Sequence, residues 1–264
     1  VVLLILKLTI VPIFIGLITL AGRKWGAGIA GLLGAFPVVA GPIVIFIRLE
    51  QGPIFATLTA ISAISATACL LFFGLVYSWV CIRLSWQLAL LFALAAWFIL
   101  AVALAITSPN LGIALLIAIS SLVLTPFLLP RIKPSSPPNI KLNDLPWRML
   151  VGALLTFLVT TLATTLGEVW SGIFAVFPVI GLVLAVFTHN TLGATHVTQV
   201  YRGMVKGLYS FGAFFLTMAL LLPKNSIWVA CLSSIVVAIV TQVIVQSIVR
   251  LIAKYNLNGQ RSGH

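Results

Sequence analysis

Acid–base chemistry, metal binding and nucleophilic attack all need titratable groups held close together, and this sequence offers few. Its acids are Glu50, Asp144 and Glu168, and its histidines are His189, His196 and His264. No pair of carboxylates is spaced as a general acid and base, and no Walker A lysine loop, GxSxG elbow or HExxH helix occurs. Cys69, Cys81 and Cys231 lack metal-ligand spacing. Cys69 and Cys231 read as small core residues in apolar runs, and Cys81 sits near a helix end. The expectation is a protein that is not an enzyme, with no catalytic residue, cofactor or metal.

Three groups of residues remain that are able to act on a solute. The first is Gly31, Phe36, Pro37, Gly41 and Pro42, echoed by Gly172, Phe177, Pro178 and Gly181. Proline inside a helix removes one backbone hydrogen bond and clashes with the preceding turn. The freed carbonyls then need a partner in protein or in a wet cavity. Such breaks in equivalent places of two halves point to a transport site. A packing kink, with glycine allowing close approach of helices, is the plainer reading. The candidate solute-binding residues here are Phe36, Pro37, Gly41, Phe177, Pro178 and Gly181.

The second group is Arg48 and Glu50, matched further on by His189 and Thr191. Ionisable groups near hydrocarbon are costly and often functional, so Glu50 and His189 are proton-coupling candidates. Solvated helix ends at the water interface are the alternative. The third is THVTQVYRGMVKG, residues 195–207. There His196, Gln199, Arg202 and Lys206 fall near one helical face. Arg202 is the candidate contact for an anionic group, against a reading of this stretch as an ordinary basic helix start. Thr156, Thr160, Thr161, Thr164 and Thr165, and the pair Gln242 and Gln246, are lesser signals. Such residues mostly bond the preceding turn or bridge helices.

The elements that carry these groups must sit in lipid. Apolar residues make up 62% of the chain and charged residues 7%, with mean hydropathy +1.25. A soluble domain needs roughly 25% charged residues to cover itself. Segments near 1–20, 25–47, 53–78, 86–106, 111–130, 148–166, 170–188, 205–222 and 226–249 each approach the ~20 apolar residues of a spanning helix. The eighth is expected to begin earlier, near Thr195, with a polar first portion. The opening VVLLILK has no basic n-region or A-x-A cleavage site. It reads as a spanning helix whose natural start was trimmed, and not as a signal peptide. Residues 131–147 form the one proline-rich, linker-like stretch.

The net charge of +12 does not indicate nucleic-acid binding, because the cations stand singly or in pairs between apolar runs. Nine crossings place Arg23, Lys24, Arg83, Arg131, Lys133, Lys141, Arg148, Arg202, Lys206, Arg250, Lys254 and Arg261 on one side. Arg48 and Lys224 fall on the other, and Lys7 snorkels from the first helix. This asymmetry predicts a cytoplasmic C-terminus and an external N-terminus.

The two Phe-Pro windows also align without a gap. With Pro37 on Pro178, Gly26 meets Gly167, Gly31 meets Gly172 and Phe36 meets Phe177. Phe46 then meets Phe187, Gly52 meets Gly193 and Thr57 meets Thr198. Helices 1–4 and 6–9 therefore read as copies of one unit. Five helices separate the two starts, so the copies are expected to be inverted about an axis in the membrane plane.

The stretch GIAGLLGAFPVVAGPIVIFIRLEQG, residues 28–52, resembles the GlpM-like small membrane proteins. The shared pattern is Gly31, Phe36, Pro37, Glu50 and Gly52. The second window keeps Gly172, Phe177, Pro178 and Gly193 but has Thr191 in place of the Glu. The resemblance covers two windows of about 25 residues, and it implies a fused, inverted pair of four-helix units. It implies no substrate and no catalytic residue.

The expected fold is an all-α polytopic transmembrane bundle of about nine helices, in two inverted four-helix repeats joined by a fifth helix. Residues 1–108 form the first repeat, 109–147 the linking helix and loop, and 148–264 the second repeat with a short tail. The expected function is secondary transport of a small solute, an anion among the options, across a bacterial inner membrane. The alternatives are a non-transporting subunit of an envelope or polysaccharide-export assembly, and a lipid-handling enzyme or flippase. Expected partners are membrane lipid and a small-molecule solute, with no nucleic acid and with a homodimer among the open assemblies.

Overall fold

The structure is a computed structural model that describes residues 2–38, 40–132, 144–165 and 167–261, with the side chains of 2–8, 163–165, 167, 168 and 253–261 left aside. Lys133 and Lys141 of the proline-rich loop, His264, and the side chains of Lys7, Thr164, Thr165, Glu168, Lys254 and Arg261 lie outside the described residues.

The described residues form ten helices and no strands. In chain order they are α1 (Val2–Trp25), α2 (Ala27–Gly34), α3 (Ala40–Val80), α4 (Trp86–Thr107), α5 (Leu111–Leu128), α6 (Leu145–Thr165), α7 (Gly167–Ala175), α8 (Val179–Leu192), α9 (Ala194–Leu221) and α10 (Ile227–Arg261). Seven helical stretches are long and apolar enough to cross a bilayer, Val169–Leu192 being counted as one despite its break. Adding α1 and the path from α2 into α3 gives the nine passages expected from hydropathy.

Helix α3 has 41 residues. A straight helix of that length would be about 60 Å long, twice the hydrocarbon thickness. The chain instead reverses at Gly52, with φ 88° and ψ −179°, ahead of Pro53. Gly193 makes the same turn between α8 and α9, with φ 84° and ψ 176°. A side chain is strained at such φ values, which is why glycine stands at both.

The boundaries differ from expectation where residues read as punctuation are helical. α1 runs on to Trp25, and α10 continues to Arg261, well past 249. The segments 25–47 and 170–188 are each two helices meeting at Phe-Pro, and the first continues to Gly52. The eighth crossing begins at Ala194, close to the expected Thr195. Thr156, Thr160 and Thr161 each donate to the carbonyl four residues earlier, as membrane threonines commonly do.

The two ends of the bundle differ in charge. Arg23 and Arg148 both bind Asp144, at 2.8 and 2.7 Å. Arg202 donates to the carbonyls of Leu129 and Pro130, beside Arg131. Trp79 donates to the Leu128 carbonyl, which brings the α3 terminus and Arg83 to the same end. Gly28 lies against Gln199 and Gly203, joining these groups into one rim. Arg48 and Lys224 lie away from it, near Gly52 and in the α9–α10 turn. This is the division that the cation pattern predicts.

The pairing of helices interlocks the two halves. α1 runs antiparallel to α6, since Arg23 meets Asp144, Gly16 meets Met149 and Ile15 meets Gly152. α2 packs on α9, and α7 packs on the second part of α3. The centre is formed by α3 and the α7–α8 path, whose most apolar stretches are 72% buried, against 22% in α5 and α10. The outer helices expose Phe127, Leu116, Ile99, Trp228 and Leu232, which suits contact with lipid tails rather than water.

Candidate functional site: two Phe-Pro breaks around one cavity

Each break forms because proline offers no N–H to the helical ladder. Before Pro37 the helix tightens, with the Ala35 and Phe36 N–H groups donating to the carbonyls of Leu32 and Leu33. The Val38 N–H, which a continued helix would give to Gly34, donates to the Phe36 carbonyl at 2.8 Å. The ladder restarts with the Gly41 N–H on the Pro37 carbonyl. The second break repeats this, bond for bond, at an offset of 141 residues (178 minus 37). Val176 donates to Ile173, Phe177 to Phe174, Val179 to Phe177 at 2.7 Å, and Leu182 to Pro178. The carbonyls of Gly34 and Ala175 thereby lose their helical donors.

Glycines fix where the breaks sit. A Cβ on Gly31 would strike the Val200 carbonyl, and one on Gly172 would strike the Thr59 carbonyl. Residue 59 advanced by the same 141 is residue 200. The contact between α2 and α9 is therefore repeated between α7 and α3 with the halves exchanged.

Both breaks border one cavity of about 40 Å³. It has room for two or three waters, since one needs about 10–15 Å³. Phe36, Pro37, Phe177, Pro178 and Gly181 all line it, as expected from the sequence. Gly41 does not. Its bare Cα accommodates the Phe214 ring, and Ala40, the counterpart of Gly181, lines the wall instead. Leu70 and Phe211 face it as another pair at the same offset. Every lining side chain is apolar, so the polar groups available to a ligand are those of the broken backbone. α3 and α8 begin at the cavity with free N–H groups, while α2 and α7 end there with carbonyls.

The remaining candidates lie away from the cavity. Arg202 is half-buried on α9, with its guanidinium held by the Leu129 and Pro130 carbonyls at 3.3 and 3.0 Å. Glu50 is exposed near Gly52. Arg48 holds a buried Nε that has no hydrogen-bond partner. His196 is buried rather than aligned with Gln199, Arg202 and Lys206 along a groove. Its Nδ1 lies 2.9 Å from the Leu192 carbonyl and so carries the proton, leaving a buried Nε2 with no hydrogen-bond partner.

His189 is different, because two tyrosines link it to the cavity wall. The Tyr77 hydroxyl lies 3.4 Å from His189 Nδ1, and the Tyr77 and Tyr201 rings are 6.2 Å apart. The Tyr201 hydroxyl donates to the Gly181 carbonyl at 3.4 Å. Tyr201 fits there because Gly74 opposite it has no side chain. Trp97 presses edge-on against Phe177, with centroids 5.0 Å apart, and its buried indole nitrogen has no hydrogen-bond partner. Sequence reasoning missed Tyr77, Tyr201 and Trp97. The available signal was small residues opposite large ones, which is visible only once the helices are paired.

Fold and composition together define a multi-pass helical membrane protein with two broken helices meeting at a central cavity. Comparison with protein-family models, with curated proteins and with solved structures gives no match.

Proposed function

We propose that this chain is a secondary transporter that moves a small solute across a bacterial inner membrane by alternating access, with the Phe-Pro cavity as the solute site. The carrying observation is that two helix breaks with the same hydrogen-bond pattern border a single cavity. Contacts exchanged between halves are the signature of a two-fold axis. α1 runs antiparallel to α6, its counterpart, so the axis lies in the membrane plane and the halves are inverted. Such halves rock about a fixed central site. The resemblance to GlpM-like proteins, as a fused pair of their four-helix units, is in keeping with this architecture.

The site offers backbone rather than side-chain chemistry. The N-termini of α3 and α8 favour an anionic group, and the carbonyls of Gly34 and Ala175 accept from a donor or cation. At about 40 Å³ the cavity corresponds to an occluded, nearly empty state. Loading requires the halves to part. The cation-rich end faces the cytoplasm, as the positive-inside bias requires, and the C-terminus lies there too.

The test is flux into proteoliposomes, screened over small organic and inorganic anions and small polar solutes. The purified chain is expected to move at least one class faster than protein-free vesicles, and Ala40→Trp, which fills the cavity, is expected to stop it. Flux of no panel member, or flux unchanged in a correctly folded Ala40→Trp protein, refutes the assignment. A chain that moves nothing but co-purifies with an envelope complex would restore the subunit reading.

A further inference from the structure

Two grooves meet at Arg202 and Lys206, and together they have the shape of an amphipathic ligand. One, about 410 Å³, lies between α5, α9 and α10 and is walled by Pro126, Leu129, Val205, Val245, Ile248 and Val249. The other, about 390 Å³, lies between the α1–α2 junction, α9 and α10 and is lined by Trp25, Gln199 and Gln246 as well as backbone of the junction. Arg202 and Lys206 border both.

The charge on this ridge has no protein counter-ion. Among the described residues the ion pairs are those of Asp144 with Arg23 and Arg148, and neither reaches Arg202 or Lys206. Glu50 stands near the opposite end of the bundle. Arg202 is nevertheless a positioned cation. One guanidinium nitrogen is spent on the Leu129 and Pro130 carbonyls, leaving other donors of its planar fork for an anion. Lys206, one helical turn on, is exposed and adds a second positive charge. The amides of Gln199 and Gln246 supply neutral donors on the second side.

The apolar groove decides what kind of anion fits. It is flanked by α5 and α10, which carry exposed Phe127 and Leu251, so it opens among side chains that face lipid tails. A free inorganic anion would use the ridge and leave the apolar walls unfilled. A phospholipid uses both.

We infer that Arg202 and Lys206 form a binding site for an anionic phospholipid, with the phosphate between the two cations, the rest of the head group toward Gln199 and Gln246, and one acyl chain between α5, α9 and α10. The charge and the apolar walls are complementary to that occupant. The site lies in the leaflet that faces the cation-rich end. It is independent of the central cavity and does not require the chain to transport anything.

The test is lipid retention by the full chain, measured by native mass spectrometry after incubation with equal amounts of phosphatidylglycerol and phosphatidylcholine. The wild-type protein is expected to keep the anionic lipid several-fold over the zwitterionic one. Lys206→Gln should reduce that preference, and Arg202→Gln with Lys206→Gln should remove it. Val245→Trp, which blocks the acyl groove while leaving both charges, should lower phosphatidylglycerol retention. Lys224→Gln, at the other end, should leave the preference unchanged. Because Arg202 also caps α5, Lys206→Gln and Val245→Trp provide variants that keep that cap. Inorganic phosphate or glycerol phosphate at millimolar concentration should not displace the lipid. An unaltered preference in the double variant, or full displacement by inorganic phosphate, overturns the inference.

Discussion

A methyl group on Gly31 or Gly172 is the smallest change that separates two interlocked halves from two helices that merely lie near each other. At Gly31 the new Cβ would meet the Val200 carbonyl, stand 2.6 Å from the Val200 carbonyl carbon and 3.0 Å from the Met204 nitrogen. At Gly172 it would meet the Thr59 carbonyl, 2.5 Å from Ser62 Cβ and 3.1 Å from the Ala63 nitrogen. Ordinary contact begins near 3.4 Å, so each pair of helices must part by about 1 Å, against backbone that cannot rotate away. Overpacking of this kind costs about 1–3 kcal/mol. Replacing a mid-helix glycine by alanine returns up to about 1 kcal/mol of helix propensity, so the clash decides the sign. Gly212, in α9, has nothing within 4 Å of its virtual Cβ and serves as the control. Thermal unfolding in detergent should lower the Tm of Gly31→Ala and Gly172→Ala by about 2–12 °C, at about 2–4 °C per kcal/mol. Gly212→Ala should match or exceed the wild type. The two halves should respond alike, since the contacts are the same contact. Equal stability of all three variants, or loss at only one of the paired sites, would refute the exchanged packing.

Asp144 is shared by two arginines, and one of them is buried, with its side chain 5% exposed. Asp144→Asn leaves Arg148 without its counter-ion and should cost about 3–5 kcal/mol. Arg23→Gln removes the more exposed partner and should cost about 0–1 kcal/mol, both read by chemical or thermal unfolding. Glu50→Gln should leave proton-coupled flux within about twofold of wild type, because Glu50 is exposed and away from the cavity. His189→Gln or Tyr77→Phe breaks the contact chain to Gly181 and should slow it by about two- to twelvefold, the worth of one hydrogen bond of about 0.5–1.5 kcal/mol. Side-specific labelling checks the orientation: in a Cys231→Ala background, Gln51→Cys should react with an impermeant maleimide from outside, and Arg83→Cys only after permeabilisation. Labelling of both from one side would remove the inverted arrangement.

The parts of this molecule that were legible in its sequence depend on single residues. Pro37 and Pro178 lack an N–H wherever they stand, so the breaks follow from residue type. Gly52 and Gly193 mark reversals because only glycine tolerates those angles freely. Cations partition by leaflet, so Arg23, Arg83, Arg131, Arg148 and Arg202 could be placed at one end before any packing was known. What was hidden depends on pairs distant in sequence. The choice of Ala40 over Gly41 at the cavity wall rests on where Phe214 lands. Tyr201 was passed over beside Arg202 because its importance comes from Gly74, more than a hundred residues earlier. His196 shares a helical stripe with Gln199 and Arg202, yet burial at the α8–α9 turn takes it out of their groove.

The same pairing shows where the symmetry ends. The backbone of the breaks is matched bond for bond, and so are the glycine contacts. The plugs above and below are not. At the 141-residue offset, Tyr201 corresponds to Ala60, Tyr77 to Met218, His189 to Arg48 and Trp97 to Ala238. Two identical halves would place no free-energy difference between outward-open and inward-open states. Here the cation-rich end is closed by two hydroxyl-bearing rings, one donating to the cavity wall, while the far end is closed by Phe214, Met218 and alanine. Opening the first breaks the Tyr201–Gly181 hydrogen bond and withdraws a ring from its seat on Gly74. Opening the second parts apolar contacts alone. A difference of 1.4 kcal/mol between those steps is a tenfold difference in population. Symmetric breaks thus supply the site, and unlike plugs set which side the empty protein presents.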